Sequence, residues 1–441
     1  MTDRATVNSG TVPRTNVRWL VVFWTFVIAA ISYLDRNNLS IAAATIKGEF
    51  HLSDIQLGWV FSAFVFGYAF SQPIAGRIAD RFGAYRVVAI AIVLWGVFTA
   101  ATTVVPPGLP QSLALLLAVR CLLGIGEAVI FPAANRLTAS WIPSRERGMA
   151  SGLIFAGIGV GGGIAPPLIT FISLMYGWRW AFWGSALIGF AAGAVWLLVV
   201  RDRPEDHPSV SPGELAYIQA GRSARHEGPA VRVSWLRIIG DRQVALLTAS
   251  YFCYGYVAYI FFSWFFVYLS TVRGLNLKSS ALYATLPFLA MTLSSALGGV
   301  ISDRLAARRG RRIGRCGTAF AGMVAAGLFV AAATQVADAR LAAVVLAGGA
   351  GALYLAQSAY WAMSADIGGR ASGAVSGVMN MGAQIGGVVT ASMTAVIAHR
   401  FGWSASFLSA AVVCLIGALL WLFIDPDHEL STDLGDEGTV P

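Results

Sequence analysis

Uninterrupted apolar runs of about 18 or more residues recur along nearly the whole of this 441-residue chain, and they decide what solvent it folds in. Such a run is long enough to cross the hydrocarbon core of a bilayer. Lipid offers no water to an open backbone group, so a crossing segment must be a helix or a strand of a closed barrel. Barrel strands would show as alternating segments of roughly ten residues. No such pattern is visible, so the runs read as helices. Composition agrees: 57% of residues are hydrophobic and 12% charged, against roughly 25% charged in a soluble domain. The expected fold is an all-α membrane protein with twelve transmembrane helices in two pseudo-symmetric six-helix bundles. The chain does not read as a soluble protein or an enzyme.

The expected spans are 17–44, 56–76, 86–105, 112–135, 148–172, 180–200, 244–270, 281–302, 316–335, 341–363, 372–398 and 403–424. The polar stretch 201–243 divides them six and six. Residues 1–200 are thus the first bundle, 201–243 a cytoplasmic linker, 244–424 the second bundle and 425–441 a cytoplasmic tail. Within the linker, Ser211-Pro212-Gly213-Glu214 has the form of a helix start, with serine as cap and proline at the first helical position. A short surface helix is expected there. The tail beyond Asp425 has several acids and no Lys or Arg, which predicts disorder. Polar residues precede the first run without a small-residue cleavage pattern after it, so that run is expected to remain as a span. Cys121, Cys253, Cys316 and Cys414 sit in apolar runs without paired spacing, and neither a disulfide framework nor a metal site is expected.

A net charge of +9 could indicate a nucleic-acid partner, but its placement argues for topology. With twelve spans both termini lie on one side. Twenty-three of the 31 Lys and Arg residues fall on that side, six on the other, and Arg36 and Arg120 lie inside spans. Cytoplasmic loops carry this excess, so both termini are expected in the cytoplasm, with the protein in a cell (inner) membrane.

The sequence also repeats. Gly76-Arg77-Ile78-Ala79-Asp80-Arg81 follows the second span, and Gly299-Val300-Ile301-Ser302-Asp303-Arg304 follows the eighth, with the two aspartates 223 positions apart. Duplicated halves of this kind belong to transporters whose site lies between the halves near the bilayer midplane. Gly83 allows a tight turn after the first copy. Asp80 and Asp303 are expected to cap helices or pair with Arg residues in one arrangement of the halves.

These residues carry a family resemblance over roughly 18–424. Gly76-x-x-x-Asp80-Arg81-x-Gly83-x-x-Arg86 resembles the loop signature of the major facilitator superfamily, and Asp303-Arg304 its second copy. Arg120-x-x-x-Gly124 resembles the fourth-span signature. Tyr33-Leu34-Asp35-Arg36, Arg120-Cys-Leu-Leu-Gly-Ile-Gly-Glu127, Phe131-Pro132-Ala-Ala-Asn-Arg and Trp141-Ile-Pro-Ser-Arg-Glu-Arg147-Gly148 are similar to the anion:cation symporter branch. Members of that branch carry sugar acids, aromatic carboxylates and related anions. The resemblance implies that the matching acids, Asp35 and Glu127, couple protons, while Arg36 and Arg120 serve the substrate. Tyr33, in the same motif, joins the substrate set.

The residues support that division independently. Asp35, Arg36, Arg120 and Glu127 are the strongly ionisable residues inside the expected spans and away from their ends. A charge at the bilayer centre costs about 2.5–3.5 kcal/mol on insertion scales, so such groups face a cavity or each other. Arg120 and Glu127, seven residues apart, share a helix face about 10 Å apart along the axis. Guanidinium stays charged and offers paired donors to a carboxylate. A carboxyl taken out of water favours its protonated form. A fixed ion-pair network is the competing reading.

Tyr68 and Gln72 share one helix face, as do Asn380 and Gln384. They suit a reader of substrate hydroxyls, or interhelical bonding. Tyr68 and Asn380 also match substrate-binding positions in sugar-acid members of the branch. Among the aromatics of the seventh and tenth spans, Tyr256, Tyr268 and Trp264 suit ring contacts, and Tyr259 and Trp361 lie deepest. Sugar-acid members carry an amide in the fifth span where this chain has Ile158, which leaves a less hydroxylated or aromatic acid in play. Gly157-x-Gly159-x-x-Gly162 spells a dinucleotide fingerprint but lies within an apolar helix, where close helix packing explains it. No cofactor is expected. The expected function is proton-coupled import of a small organic anion by alternating access, with a sugar acid (a hexonate, hexuronate or glucarate) as the expected substrate. Anion exchange, an aromatic carboxylate, and more remotely a receptor on the same fold are the alternatives. A monomer with a small organic anion, protons and lipid as its partners is expected, and no nucleic acid.

Overall fold

A computed structural model describes residues 15–143, 146–220, 235–368 and 372–430, apart from the side chains of Pro73, Asp80, Arg147, Gly148, Trp235 and Ser372. Arg4, Arg14, Arg145, Arg370 and the stretches 221–234 and 431–441 lie outside it. The architecture is helical. The first set comprises α1 (Val17–Glu49), α2 (Asp54–Phe82), α3 (Ala84–Val104), α4 (Ser112–Glu127), α5 (Ile130–Trp141), α6 (Arg147–Tyr176) and α7 (Trp178–Val199). Two short helices follow, α8 (Pro212–Ala220) and α9 (Trp235–Gly240). The second set comprises α10 (Arg242–Ser263), α11 (Phe265–Val267), α12 (Leu277–Arg309), α13 (Thr318–Ala333), α14 (Ala339–Gly368), α15 (Ser372–Phe401) and α16 (Trp403–Leu420). Among the described residues, eleven helices are long and apolar enough to cross a membrane, counting Ser112–Trp141 as one. The 29-residue α2 packs among them and completes a twelve-helix membrane fold.

Packing follows the same plan in each set. In the first, α1 lies on α6, α2 on α4 and α3 on α7. In the second, α10 lies on α15, α12 on α14 and α13 on α16. The sets meet where α2 packs on α15 and α6 on α12. Small residues make these approaches possible. A Cβ at Gly161 would overlap the carbonyl of Ala30 in α1, and one at Gly159 or Gly162 would overlap Thr292 or Phe288 in α12. The glycine stretch of α6 is therefore a packing face turned to both sets.

Several hydrogen bonds cross between the sets toward the end of the bundle away from the termini. Ser40 Oγ donates to the Ser263 carbonyl at 2.7 Å. Ser62 Oγ donates to the Val388 carbonyl at 2.7 Å and lies 2.7 Å from Ser392 Oγ. Thr285 Oγ1 donates to the Gly163 carbonyl at 3.0 Å, and Phe61 packs edge-on to Trp264 at 5.1 Å. Nearer the terminus-bearing end, Asn380 Nδ2 donates to Gln72 Oε1 at 2.9 Å.

Four expectations need correction. The fourth span is broken at Ala128 and Val129. Pro132 is the cause: it has no N–H for the carbonyl four residues back, and its ring crowds that carbonyl. The seventh span leaves α-geometry after Ser263 and ends in a π-turn over Tyr268–Val272. The linker helix starts as expected, with Glu214 N donating to Ser211 Oγ at 3.2 Å, but it is docked rather than superficial. Glu214 is fully buried and accepts from Thr15 Oγ1 (2.6 Å), Val17 N (3.1 Å), Arg18 N (3.1 Å) and Arg18 Nη1 (3.0 Å), so it caps α1. The start of the tail is ordered: His428 Nε2 lies 2.9 Å from Asp241 Oδ2, and Leu430 N donates to the Ile367 carbonyl at 2.8 Å.

Candidate substrate site

The site begins with four ionisable groups in the middle of the first set. Arg36 of α1 and Glu127, the last residue of α4, form an ion pair at 3.2 Å. Both are buried, Glu127 completely. The guanidinium of Arg36 also lies 4.4 Å from the Tyr33 ring, 4.6 Å from Tyr68 and 4.9 Å from Phe64. A desolvated cation over an aromatic face gains about 2 kcal/mol, so three rings and one carboxylate hold Arg36 firmly.

Asp35 hydrogen-bonds to neither member of that pair. Its Oδ2 accepts from Thr99 Oγ1 of α3 at 2.6 Å, and its Oδ1 from Asn38 Nδ2 at 2.9 Å. Asn38 Nδ2 also lies 2.9 Å from Ser185 Oγ of α7. Asp35 is therefore held by neutral donors from α1 and α3, and Ser185 of α7 accepts from the same Asn38 amide.

Arg120 is different. It is 2% exposed, its Cζ lies 4.9 Å from the Phe64 ring, and its Nε and Nη1 have no hydrogen-bond partner. The Arg36 Nε and Glu127 Oε1 atoms are likewise unpartnered. A buried ion without compensation costs several kcal/mol. The competing reading of a closed ion-pair network therefore accounts for Arg36 and Glu127 but leaves two nitrogens of Arg120 without a hydrogen-bond partner.

The second set supplies the facing wall. Tyr259 OH of α10 donates to Gln384 Oε1 of α15 at 2.6 Å, and Tyr259 and Tyr33 both pack on Phe262 at 5.6 Å. Gln72 and Asn380 bond to each other across the sets, so the two amides read each other as well as any ligand. Trp361 stands one layer toward the terminus-bearing end. There the rings of Phe131, Phe155, Trp361 and Tyr251 succeed one another at 5.3, 6.0 and 6.5 Å. The other aromatics of the seventh span pack elsewhere: Trp264 Nε1 donates to the Ala391 carbonyl, and Tyr268 packs on Trp403 and Phe407.

The structure thus gathers Tyr33, Asp35, Arg36, Tyr68, Arg120, Glu127, Tyr259 and Gln384 around one centre, with Gln72, Asn380 and Trp361 on its terminus side. Sequence reasoning missed Phe64, Thr99, Asn38 and Phe155, and read Phe131 only as part of a family motif. Phe64 lies one helical turn before Tyr68 and Asn38 one turn after Asp35, which were the available signals. The loop signature lies apart. Gly83 adopts φ 89°, which only glycine takes without strain, as expected. Asp303 bonds Arg315, with Asp366 near the same guanidinium, instead of its neighbour Arg304. Arg81, Arg86 and Arg304 are exposed, and the Asp80 side chain lies outside the description.

Paired charges facing duplicated helices over a seam between two sets are a carrier's arrangement. The Major Facilitator Superfamily model matches residues 25–391 and 310–440. The chain belongs to the Major Facilitator Superfamily. It is a multi-pass membrane transporter and not an enzyme. It is 34% identical over 409 residues to the probable sulfoacetate transporter SauU of Cupriavidus necator, covering 92% of this chain and 93% of that one. It is 30% identical to the probable galactarate/D-glucarate transporter GudP of Escherichia coli, covering 92% of each. The hexuronate transporter of Bacillus subtilis is 28% identical over 90% of this chain and 92% of its own. Among solved structures, the crystal structure of a D-xylose-proton symporter superposes with a TM-score of 0.73 at 15% identity. A bacterial homologue of the human lysosomal transporter Spinster superposes over 93% of this chain and 98% of its own, at TM-score 0.74 and 18% identity. These two establish the fold alone.

Proposed function

We propose that this transporter is a proton-coupled symporter that imports a small organic anion, with sugar acids among its candidate substrates, by alternating access. The observation that carries the reading is Arg120, a buried guanidinium with two unpartnered nitrogens beside the Arg36–Glu127 pair. An anionic ligand completes its hydrogen bonding. Tyr33, Tyr68, Tyr259 and Gln384 then border the ligand, while Gln72, Asn380 and Trp361 border its path toward the terminus side. The names of the relatives, which speak of sulfoacetate, galactarate, glucarate and hexuronate, support an anion.

Asp35 and Glu127 are the proton carriers in this reading. Each is a buried carboxyl: Glu127 pairs with Arg36, and Asp35 is held by Thr99 and Asn38. The excess of Lys and Arg in the terminus-side loops supports cytoplasmic termini in an inner membrane. Import then ends through the terminus-bearing face. The halves 1–200 and 244–424 would move about the seam, with the Asp303–Arg315 contact on the terminus side remade in each cycle. A monomer contains the whole site.

Uptake by proteoliposomes under an imposed inward proton gradient tests the reading. Asp35→Asn and Glu127→Gln should each abolish gradient-driven accumulation while leaving anion counterflow measurable. If both variants accumulate substrate as the parent does, the coupling role is wrong. Gradient-independent counterflow in the parent would instead favour anion exchange.

A further inference from the structure

Arg36 and Arg120 stand against one ring, each with its Cζ 4.9 Å from the Phe64 centroid, so the two cations lie within about 10 Å of each other. They are not equivalent. Arg36 is half-compensated by Glu127, whereas Arg120 carries its charge with two nitrogens unpartnered. Both Arg36 Nε and Glu127 Oε1 also lack a partner. Among the described residues, the charged groups of the membrane interior facing this centre are Asp35 and Arg36 of α1 and Arg120 and Glu127 of α4. The titratable neighbours are Tyr33 of α1, Tyr68 of α2 and Tyr259 of α10, while α3 and α7 offer the neutral hydroxyls of Thr99 and Ser185.

Resting on the symporter reading above, we infer that the substrate is a compact dianion, one acid group seated on Arg120 and the other on Arg36, carried with two protons in an electroneutral step. The balance is as follows. With both carboxyls ionised, two positive and two negative charges cancel. When Glu127 takes a proton, Arg36 loses its internal partner and becomes a free cation. When Asp35 takes one, its charge no longer offsets Arg120. Two guanidiniums then face the ligand with two positive charges, and a dianion restores neutrality. A monoanion leaves one uncompensated positive charge in low dielectric, an arrangement the interior disfavours. On release, both protons leave with the dianion and the Arg36–Glu127 pair closes again. The ring of Phe64, 4.9 Å from each guanidinium, helps to keep both out of water.

The experiment uses purified full-length protein in proteoliposomes and two pairs of anions that differ by one acid group. Sulfoacetate and D-glucarate are the dianions, and 2-hydroxyethanesulfonate and D-gluconate are the matched monoanions. The inference expects at least one dianion to be taken up at least ten-fold faster than its monoanion at equal concentration. It also expects dianion uptake to follow the pH gradient and to be unchanged by a potassium diffusion potential, negative inside. Arg120→Gln should lower dianion uptake at least ten-fold and collapse the preference, with Arg120→Lys recovering part of both. Equal or greater uptake of both monoanions overturns the two-seat assignment while leaving the symporter reading standing. Acceleration of dianion uptake by the potential overturns the charge balance, and this measurement on the parent protein stands even where the variants fail to fold. If none of the four anions is taken up, the anion-transport reading falls, and this inference with it.

Discussion

At the scale of single residues, the site is a set of unequal partnerships. Removing one member of the Arg36–Glu127 pair strands the other in a buried position, which costs about 3–5 kcal/mol, whereas neutralising both removes the penalty along with the attraction. Arg36→Gln should therefore lower thermal stability in detergent by several degrees. Adding Glu127→Gln to it should restore much of that loss without restoring transport. A thermal-shift series over the two single variants and the double variant checks this, and additive losses would show that the pair is not coupled. Thr99 makes a second case. Its hydroxyl orients Asp35 from α3, so Thr99→Val should reduce gradient-driven uptake more than counterflow, and Thr99→Ser should keep both. The ionisable four were legible in the sequence because charges inside apolar runs are conspicuous. Thr99, Asn38 and Phe64 were not, since a threonine, an asparagine or a phenylalanine in a membrane helix has many ordinary uses and only tertiary contact selects this one.

At the scale of elements, the helices were readable and their interruptions less so. Hydropathy locates a span but is blind to a two-residue break, and the break after Glu127 follows from Pro132 together with what α5 packs against. That break frees the end of α4 and lets the Glu127 carboxylate reach α1. The glycine stretch of α6 tells the same story from the packing side. Its composition pointed to close approach, and its partners, Ala30 on one side and Thr292 and Phe288 on the other, came only from the fold. Gly159 is the sharpest test because it faces the other set. Gly159→Ala should slow transport by holding α6 and α12 apart at this crossing while the first set still folds. Thr292→Ala, which removes the obstructing hydroxyl, should recover uptake in the double variant. No recovery would mean that the α6–α12 approach is not the step affected.

At the scale of the whole molecule, the repeat was visible at one corner and hidden at another. Gly76–Arg81 and Gly299–Arg304 announced it, while Tyr176-Gly177-Trp178 and Phe401-Gly402-Trp403 went unread although both glycines turn with φ of 89° and 85°. The seam between the two sets could not be read from either set alone, because each of its bonds joins a residue to one more than 100 positions away. Ser62 and Ser392 mark it best. Their hydroxyl oxygens lie 2.7 Å apart across α2 and α15, on the side away from the termini. Cysteines at both positions, in a background whose four free native cysteines are replaced by serine, would put two sulfurs within reach of a bond. If the halves must part here for substrate to enter, oxidation of Ser62→Cys/Ser392→Cys should stop uptake and reduction should restore it. Each single variant should transport in both conditions. Undiminished uptake by the oxidised, demonstrably cross-linked protein would mean that this end of the seam stays shut throughout the cycle. The path between the charged centre and the far side would then have to run elsewhere than between α2 and α15.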